Sequence, residues 1–326
     1  MLLFFGDRED LSGAYLSWLA DRRGIECVWI DEASLGQTCS LEVAVDGTVH
    51  VVVDDHGVPL QQVTGAVVRL NPHPALAWTE PGAAETEAME AVVLPERRAG
   101  LQFVLDCLPF PVANRPSRGR SNGAKPVHMR DLATAGFHVP AWVTTNDADE
   151  GARVAAGCGH GAVVKAASGL RSHVRLWSHE VADAFRAGTA PHIVQEYVPG
   201  HEVRVHVVGE QTFPTRIDSG ATDYRFDDSV TGYTATSLPD DLADRCVAFA
   251  AREGLLLAGF DFRVDETTGT WYCLEMNPVP TFLPYEASTG QRIGDALIDL
   301  LAPGSHAPDD VSPLGARYAA AQLARD

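Results

Sequence analysis

The sequence predicts an α/β protein with more than one domain, and three observations support this prediction. Residues 2–31 read as strand, helix and strand (LLFFG, LSGAYLSWLADRRG, IECVWID), which is the opening of an α/β unit. Residues 110–126 are rich in proline, glycine, serine and asparagine, as a connector would be, and strand and helix patterns start again after them. At 326 residues, 45% of them hydrophobic, the chain is long enough for two or three domains.

The remaining elements follow in order along the chain. VVVDD and GAVVRL predict strands of the first domain, and AETEAMEAVVLPERRAGLQFVLDCL has a helical pattern. VHMRDLATAGFHVPAWVTT predicts a helix ended by Gly136 and then a strand, and GAVVKAASG a strand entering a loop of small residues. HIVQEYVPGHEVRVHVVGEQTFPTRIDS predicts successive strands, PDDLADRCVAFAAREG a helix ended by Gly254, and LLLAGFDFRVDETTGTWYCLEMN a hairpin. IGDALIDLLA predicts a closing helix, and ARYAAAQLARD a loose helix in the tail.

Charge and cysteine content disfavour several function classes. With 25 basic and 44 acidic residues the formal net charge is −19, which argues against binding to nucleic acid or to an anionic membrane. No stretch approaches the ~20 apolar residues of a membrane span, and the N-terminus does not read as a signal peptide. The six cysteines form no C-x-x-C pair, which argues against a zinc site or a disulfide framework. A cytoplasmic protein is expected.

Lysine is unusually rare in this chain. It occurs only at Lys125 and Lys165, against 23 arginines. A genomic preference for arginine explains the ratio, but it does not explain the positions of the two lysines that are present.

The C-terminal hairpin suggests a metal site. Alternation along its second strand predicts one face with Trp271, Cys273, Glu275 and Asn277 and another with Tyr272, Leu274 and Met276. With a five-residue turn, Glu266–Thr270, Asp261 would lie opposite Glu275 on the same face. Two adjacent carboxylates repel unless a cation lies between them, and such oxygen ligands suit Mg²⁺. Arg263 on this face is an alternative partner for either acid, and a solvated hairpin edge is the structural alternative.

The order of these features resembles the ATP-grasp superfamily over residues 112–302. The features are a lysine before a helix, a lysine on a strand leading into a small-residue loop, QEYVPG with an acid two residues later, and a strand ending E-x-N. The resemblance implies an ATP-grasp fold preceded by a Rossmann-like domain. The expected boundaries are 1–115 for the N-terminal domain, 116–190 and 191–303 for the central and C-terminal ATP-grasp subdomains, and 304–326 for a tail.

The resemblance also implies an ATP site. Both lysines would contact the phosphates, beneath a flexible loop at Ala166–Val174 that has one glycine where several are common. Gln195–Val198 would hold the adenine, and Glu202 the ribose hydroxyls. The implied ATP-binding residues are Lys125, Lys165, Ser168, Gly169, Gln195, Glu196, Tyr197, Val198 and Glu202. Taken alone, each lysine reads as a solvated side chain and IVQEYV as a core strand.

Catalytic and metal-binding residues are implied in the same way. Arg204 and Arg216 resemble arginines that neutralise the transferring phosphoryl group and the acyl phosphate, although surface ion pairs are the plain alternative. Arg225 is the third expected catalytic residue. The implied metal ligands, for two Mg²⁺ ions with Mn²⁺ as a substitute, are Asp261, Glu275 and Asn277.

Within the superfamily, NRP, AGFHVPAWVTTN and TRIDSGATDYR resemble the branch of RimK-type glutamate ligases and graspetide-forming enzymes. Tyr224 departs from the D-W-R of graspetide enzymes, and EMNPVPTF departs from their E-I-N-P-N, so a peptide, an amino acid and another acid all stay open as substrates. The implied function is an ADP-forming ligase that joins a carboxylate to an amine through an acyl phosphate. An ATP-grasp kinase and a non-catalytic nucleotide-binding regulator are the alternatives, and homodimerisation is left open.

Overall fold

The chain folds into two compact units. The computed structural model describes residues 1–31, 34, 38–70, 96, 99–167, 174–187, 190–219 and 230–305. The first unit contains Met1–Arg118, Thr281–Leu283 and the described residues from Arg292 onward, and the second contains Gly119–Pro280 and Pro284–Gln291. No helix in the described ranges is both long and apolar enough to cross a membrane.

The chain contains helices between single strands and also longer runs of consecutive strands. The strands are β1 (Leu2–Gly6), β2 (Cys27–Ile30), β3 (Cys39–Val43), β4 (Val49–Val53), β5 (His56–Gly57), β6 (Gly65–Arg69), β7 (Val112–Ala113), β8 (Trp142–Thr145), β9 (Ala162–Ala166), β10 (Arg175–Leu176), β11 (His192–Glu196), β12 (His201–Val208), β13 (Gln211–Ser219), β14 (Val230–Ala235), β15 (Leu257–Val264) and β16 (Trp271–Asn277). The α-helices are α1 (Leu11–Arg22), α2 (Lys125–Thr134), α3 (Ala148–Gly157), α4 (His179–Ala187), α5 (Asp240–Glu253), α6 (Leu283–Thr289) and α7 (Ile293–Leu301). Residues 99–107 are also helical.

The first unit is built on a parallel sheet of order β2-β1-β6-β7, which confirms the predicted strand, helix and strand opening. Helix α1 begins after Asp10, whose carboxylate accepts a hydrogen bond from the N–H of Gly13 at 2.7 Å. At the other end of α1, the fully buried side chain of Arg23 forms ion pairs with Asp295 and Asp299 of α7. An antiparallel sheet, β3-β4-β5, also belongs to this unit.

The second unit contains two antiparallel sheets. Helix α3 packs against the smaller one, of order β10-β9-β11-β8, and its core includes Val164 and Val194. Helices α2 and α5 pack against the larger one, of order β14-β13-β12-β15-β16. Both helices end as predicted, because Gly136 and Gly254 adopt the left-handed conformation with φ of 86° and 72°.

In the hairpin of β15 and β16, Asp261 pairs with Glu275, as predicted, but the length of the connection and the regularity of the pairing differ from the prediction. The connection is one residue longer than predicted, since Val264 pairs with Trp271. A β-bulge between Asp261 and Phe262 compensates, because Phe262 pairs with residue 273 and leaves Leu274 as the extra residue of β16.

The same bulge contradicts the predicted faces of β16. Cys273 and Met276 both lie in the hydrophobic core, and Trp271 packs against it, whereas Leu274 and Glu275 are both partly exposed. The prediction that Trp271 and Cys273 share a face with Glu275 is therefore wrong. Strict alternation holds only for a regular strand, and the extra residue shifts it by one position.

Candidate active site

A cavity of about 800 Å³, including the part open to solvent, is lined by residues from both sheets of the second unit. The predicted site residues that line it are Lys125, Lys165, Gln195, Glu196, Tyr197, Val198, Glu202, Asp261 and Glu275. Residues separated by up to 150 positions in the sequence therefore meet at one place.

Both lysines of the chain line this cavity. Lys125 is the first residue of α2 and is 7% exposed, and Lys165 lies near the end of β9. No ion pair of Lys125 with an acidic side chain occurs within the described ranges. A buried ammonium group without a carboxylate partner favours an anionic ligand.

Strands β9 and β11 form one wall of the cavity. Val163 and Lys165 share a face of β9, and Gln195 lies directly opposite Val163, so all three point the same way. Gln195 is 4% exposed, and its Oε1 atom has no hydrogen-bond partner among the described residues. A buried acceptor of this kind fits a ligand that brings an N–H group, such as the amino group of adenine.

Two backbone N–H groups at the end of β11 and just after it already form hydrogen bonds within the protein. The N–H of Glu196 donates to the carbonyl of Ala141 at 2.8 Å, and the N–H of Tyr197 donates to the carbonyl of Gly161 at 3.0 Å. The carbonyl of Val198 accepts from Arg263 Nε at 2.9 Å. A base in the cavity would therefore have to be recognised by the other polar groups of this segment.

Arg263 organises the opposite wall. It is 8% exposed, donates to Glu202 at 2.9 Å and to the Tyr197 hydroxyl at 3.2 Å, and lies over the Tyr197 ring. The sequence suggested Asp261 or Glu275 as its partner, whereas the ion pair that the structure shows is with Glu202. Arg263 thereby links β15 to β12 and to the segment that follows β11.

A second arginine supports the carboxylate of Asp261. Arg204 and Asp261 are directly paired on β12 and β15, and Arg204 Nη1 lies 3.1 Å from Asp261 Oδ2 and 3.3 Å from the carbonyl of Gly259. A Cβ atom at Gly259 would lie 2.9 Å from this guanidinium, so glycine leaves the room that Arg204 needs.

Asp261, Glu275 and Asn277, the predicted metal ligands, lie on the two strands at the edge of the larger sheet, and the first two line the cavity. Asp261 and Glu275 are cross-strand partners, and Asn277 follows two residues later, with its Oδ1 accepting the N–H of Val279 at 2.9 Å. No group of three His, Cys, Asp or Glu with metal-binding geometry occurs in the described ranges. Two carboxylates and an amide are nonetheless oxygen donors of the type that Mg²⁺ takes when waters and a phosphate complete its shell.

Sequence reasoning missed His128, which lies one turn after Lys125 on α2. Its side chain is fully buried, with Nδ1 3.0 Å from Ser121 Oγ and Nε2 accepting the backbone N–H of Met276 at 2.8 Å. Burial lowers the pKa of His128 to about 4, so the ring is neutral near pH 7 and can accept this bond. Nothing in its local sequence distinguishes it from an ordinary helical histidine.

We expect this histidine to make the protein sensitive to mild acid. Its pKa is lower in the folded protein, about 4, than in the unfolded chain, about 6.5, so the unfolded chain binds more protons between these values. The free energy of unfolding should therefore fall by roughly 2–3 kcal/mol between pH 7.5 and pH 4.5 through this group. Urea unfolding of the wild type and His128→Gln at both pH values measures the difference. Equal pH dependence in the two proteins would contradict the expectation.

Two groups of predicted residues are not part of this arrangement. Arg216 lies directly opposite Val203, a core residue, so it leaves the sheet on the face away from Arg204, and its exposed side chain pairs with Asp218 at 3.0 Å. The structure thus contradicts the expectation that Arg216 joins Arg204 at the site. Ser168, Gly169 and Arg225, most of the loop Ala166–Val174 and the tail helix lie outside the described residues.

Solved structures show which fold this is. The ATP-grasp ligase PsnB, complexed with a minimal precursor, superposes with a TM-score of 0.76 at 22% identity, covering 92% of this chain and 97% of PsnB. The chain has the ATP-grasp fold. The macrocyclase MdnC from Microcystis aeruginosa MRC, bound with precursor peptide MdnA, matches with a TM-score of 0.76 at 18% identity, covering 93% and 100% of the two chains. D-alanine–D-alanine ligase from Bacillus anthracis, complexed with ATP, matches with a TM-score of 0.56 at 15% identity, covering 92% and 94%.

The ATP-grasp fold confirms the predicted fold class. No protein-family model matches the sequence, and no curated protein matches it either. At identities of 22% and below, these similarities establish the fold alone, and the chemistry of the site has to be argued from its residues.

Proposed function

We propose that this protein is an ATP-dependent, ADP-forming ligase that joins a carboxylate to an amine. The observation that carries the proposal is the composition of the cavity. The only two lysines of the chain line it together with Asp261 and Glu275, so cationic groups for phosphates and oxygen ligands for a metal ion converge there.

The residues divide by role. Gln195, Tyr197 and Val198 hold the adenine, Glu202 binds the ribose, and the two lysines neutralise the phosphates. Asp261, Glu275 and Asn277 would hold Mg²⁺, two ions in all and Mn²⁺ as a substitute, and the bound metal would supply positive charge for the phosphates. Arg204 orients Asp261, and Arg225 is proposed to act on the substrate.

Catalysis in this proposal is mainly positioning. A substrate carboxylate attacks the γ-phosphorus of ATP, the bond to the β–γ bridging oxygen breaks, and an acyl phosphate and ADP result. An amine then attacks the acyl carbon and loses a proton, and phosphate leaves with the bonding electrons, which yields the amide. The lysines stabilise charge on the transferring group, and the buried walls of the cavity limit access of water to the acyl phosphate.

We propose a peptide as the substrate, because PsnB and MdnC were solved with precursor peptides. The departures at Tyr224 and in EMNPVPTF leave the identity of that peptide to experiment. A cytoplasmic location fits a protein that uses ATP, and the stoichiometry, monomer or homodimer, is measurable by light scattering.

The proposal is tested by screening peptides that carry both acidic and amine side chains, and in parallel amino acids and dipeptides, with ATP and Mg²⁺. We expect ADP release coupled to a product that has lost one water. A product that has gained a phosphate would instead identify a kinase. ATP binding without ADP formation from any acid would indicate a regulator. Asp261→Asn serves as the inactive control.

A further inference from the structure

Strand β16 is the edge strand of its sheet, and two of its backbone N–H groups bind the segment that contains α2. The N–H of Cys273 donates to the carbonyl of His138 at 2.8 Å. The N–H of Met276 donates to Nε2 of His128 at 2.8 Å. These two bonds lie on either side of the bulge that turns both Leu274 and Glu275 toward the cavity.

A bulge interrupts the regular ladder, so its local conformation depends on bonds from outside the sheet. The bond at Met276 is the closer of the two to the predicted metal ligands, because this residue lies between Glu275 and Asn277. It is also the only one of the two made by a side chain. His128 is therefore bonded to the part of β16 that carries both predicted ligands.

The same histidine is connected to the predicted phosphate site. His128 lies three residues after Lys125 on α2, which places both side chains on one side of the helix. The N–H of Lys125 donates to the carbonyl of Ala167, next to β9, at 3.1 Å. Helix α2 is thus hydrogen-bonded to β16 through His128 and, through Lys125, to Ala167, which directly follows β9.

We propose that His128 is a positioning residue that sets the placement of Glu275 and Asn277 relative to Lys125, and thereby the metal affinity of the nucleotide site. This inference rests on the proposed function. The imidazole is suited to the task because it accepts at Nε2 while Nδ1 bonds Ser121, which holds the ring in one orientation. Changes to groups that orient metal ligands typically reduce metal affinity by about 10–100-fold.

Substitution of His128 by glutamine or by asparagine distinguishes the effect of losing the hydrogen bond to Met276 from the effect of losing the imidazole ring. The amide of glutamine reaches the position of Nε2 and can accept from Met276, whereas the shorter asparagine reaches only the position of Nδ1 and keeps the bond to Ser121. Leu132→Ala is the control for lost stability, because Leu132 is fully buried on the same helix and packs in the core.

The experiment measures ADP affinity by calorimetry with and without Mg²⁺, together with the melting temperature. We expect His128→Asn to reduce the Mg²⁺-dependent gain in affinity by about 10-fold, and His128→Gln to keep it within about 3-fold of wild type. Leu132→Ala should lower the melting temperature and leave the gain unchanged. Equal gains in the wild type and His128→Asn, or equal losses in Asn and Gln, would overturn the inference while leaving the proposed function intact. A wild type that binds no ADP with Mg²⁺ would overturn both.

Discussion

Glu275→Gln is expected to reduce ATP-dependent ADP formation by about 100-fold or more and to leave the melting temperature nearly unchanged. A neutral amide keeps the shape of the side chain but removes a charge that holds the metal, which supplies several kcal/mol of charge stabilisation. The fold should tolerate the change, because Glu275 is partly exposed on the edge strand of its sheet. Steady-state ADP release and thermal unfolding of the nucleotide-free protein measure the two effects.

Glu266→Gln is the matched control. Glu266 lies in the connection between the same two strands, its side chain is 64% exposed, and the substitution removes the same charge. Its turnover should stay within about 2-fold of wild type, since surface charges contribute little. If Glu275→Gln turned over ATP as fast as Glu266→Gln, the metal assignment would be wrong.

Lys125→Met should weaken ligand binding without lowering the stability of the protein. The ammonium group is buried and has no ion pair within the described ranges, so its removal should leave the free energy of unfolding unchanged or raise it by about 1 kcal/mol. ATP affinity should fall by about 10-fold or more, because a charge-assisted bond to phosphate is lost. Calorimetry with a non-hydrolysable ATP analogue measures the affinity, and urea unfolding measures the free energy of unfolding.

Arg130→Met on the same helix is the control for net charge. The Arg130 side chain is 72% exposed, and its contact with Asp131 is 3.8 Å. This variant should bind the analogue like the wild type. An equal loss of affinity in both variants would show that long-range charge is responsible, and a large loss of stability in Lys125→Met would identify this lysine as structural.

Much of the fold was predictable from local pattern. Strand and helix periodicity, with Gly136 and Gly254 as helix ends, located the β1 to β2 opening, α2, α5 and the C-terminal hairpin correctly, because these features act over a few residues. Helices α3 and α4 were not predicted. The small-residue content of α3 gives a weak signal, and its position depends on packing against β8 and β11.

The order of motifs along the chain predicted that four side chains would lie close together, namely Lys125, Lys165, Asp261 and Glu275. The structure places all four around one cavity. Their individual roles stay predictions. The ion pair of Arg263 with Glu202 was not foreseen, because the sequence specifies which charges exist but not which of several neighbours each one reaches.

By itself, the sequence determined most of the elements, the pairing of Asp261 with Glu275 and the scarcity of lysine that marks the cavity. Only the tertiary structure decided the bulge in β16, the face on which Arg216 lies and the bond from His128 to Met276. The physical reason is common to all three. Each depends on how separate segments pair, through an extra residue, the register of two strands or one hydrogen bond, and the periodicity within a single strand or helix specifies none of these.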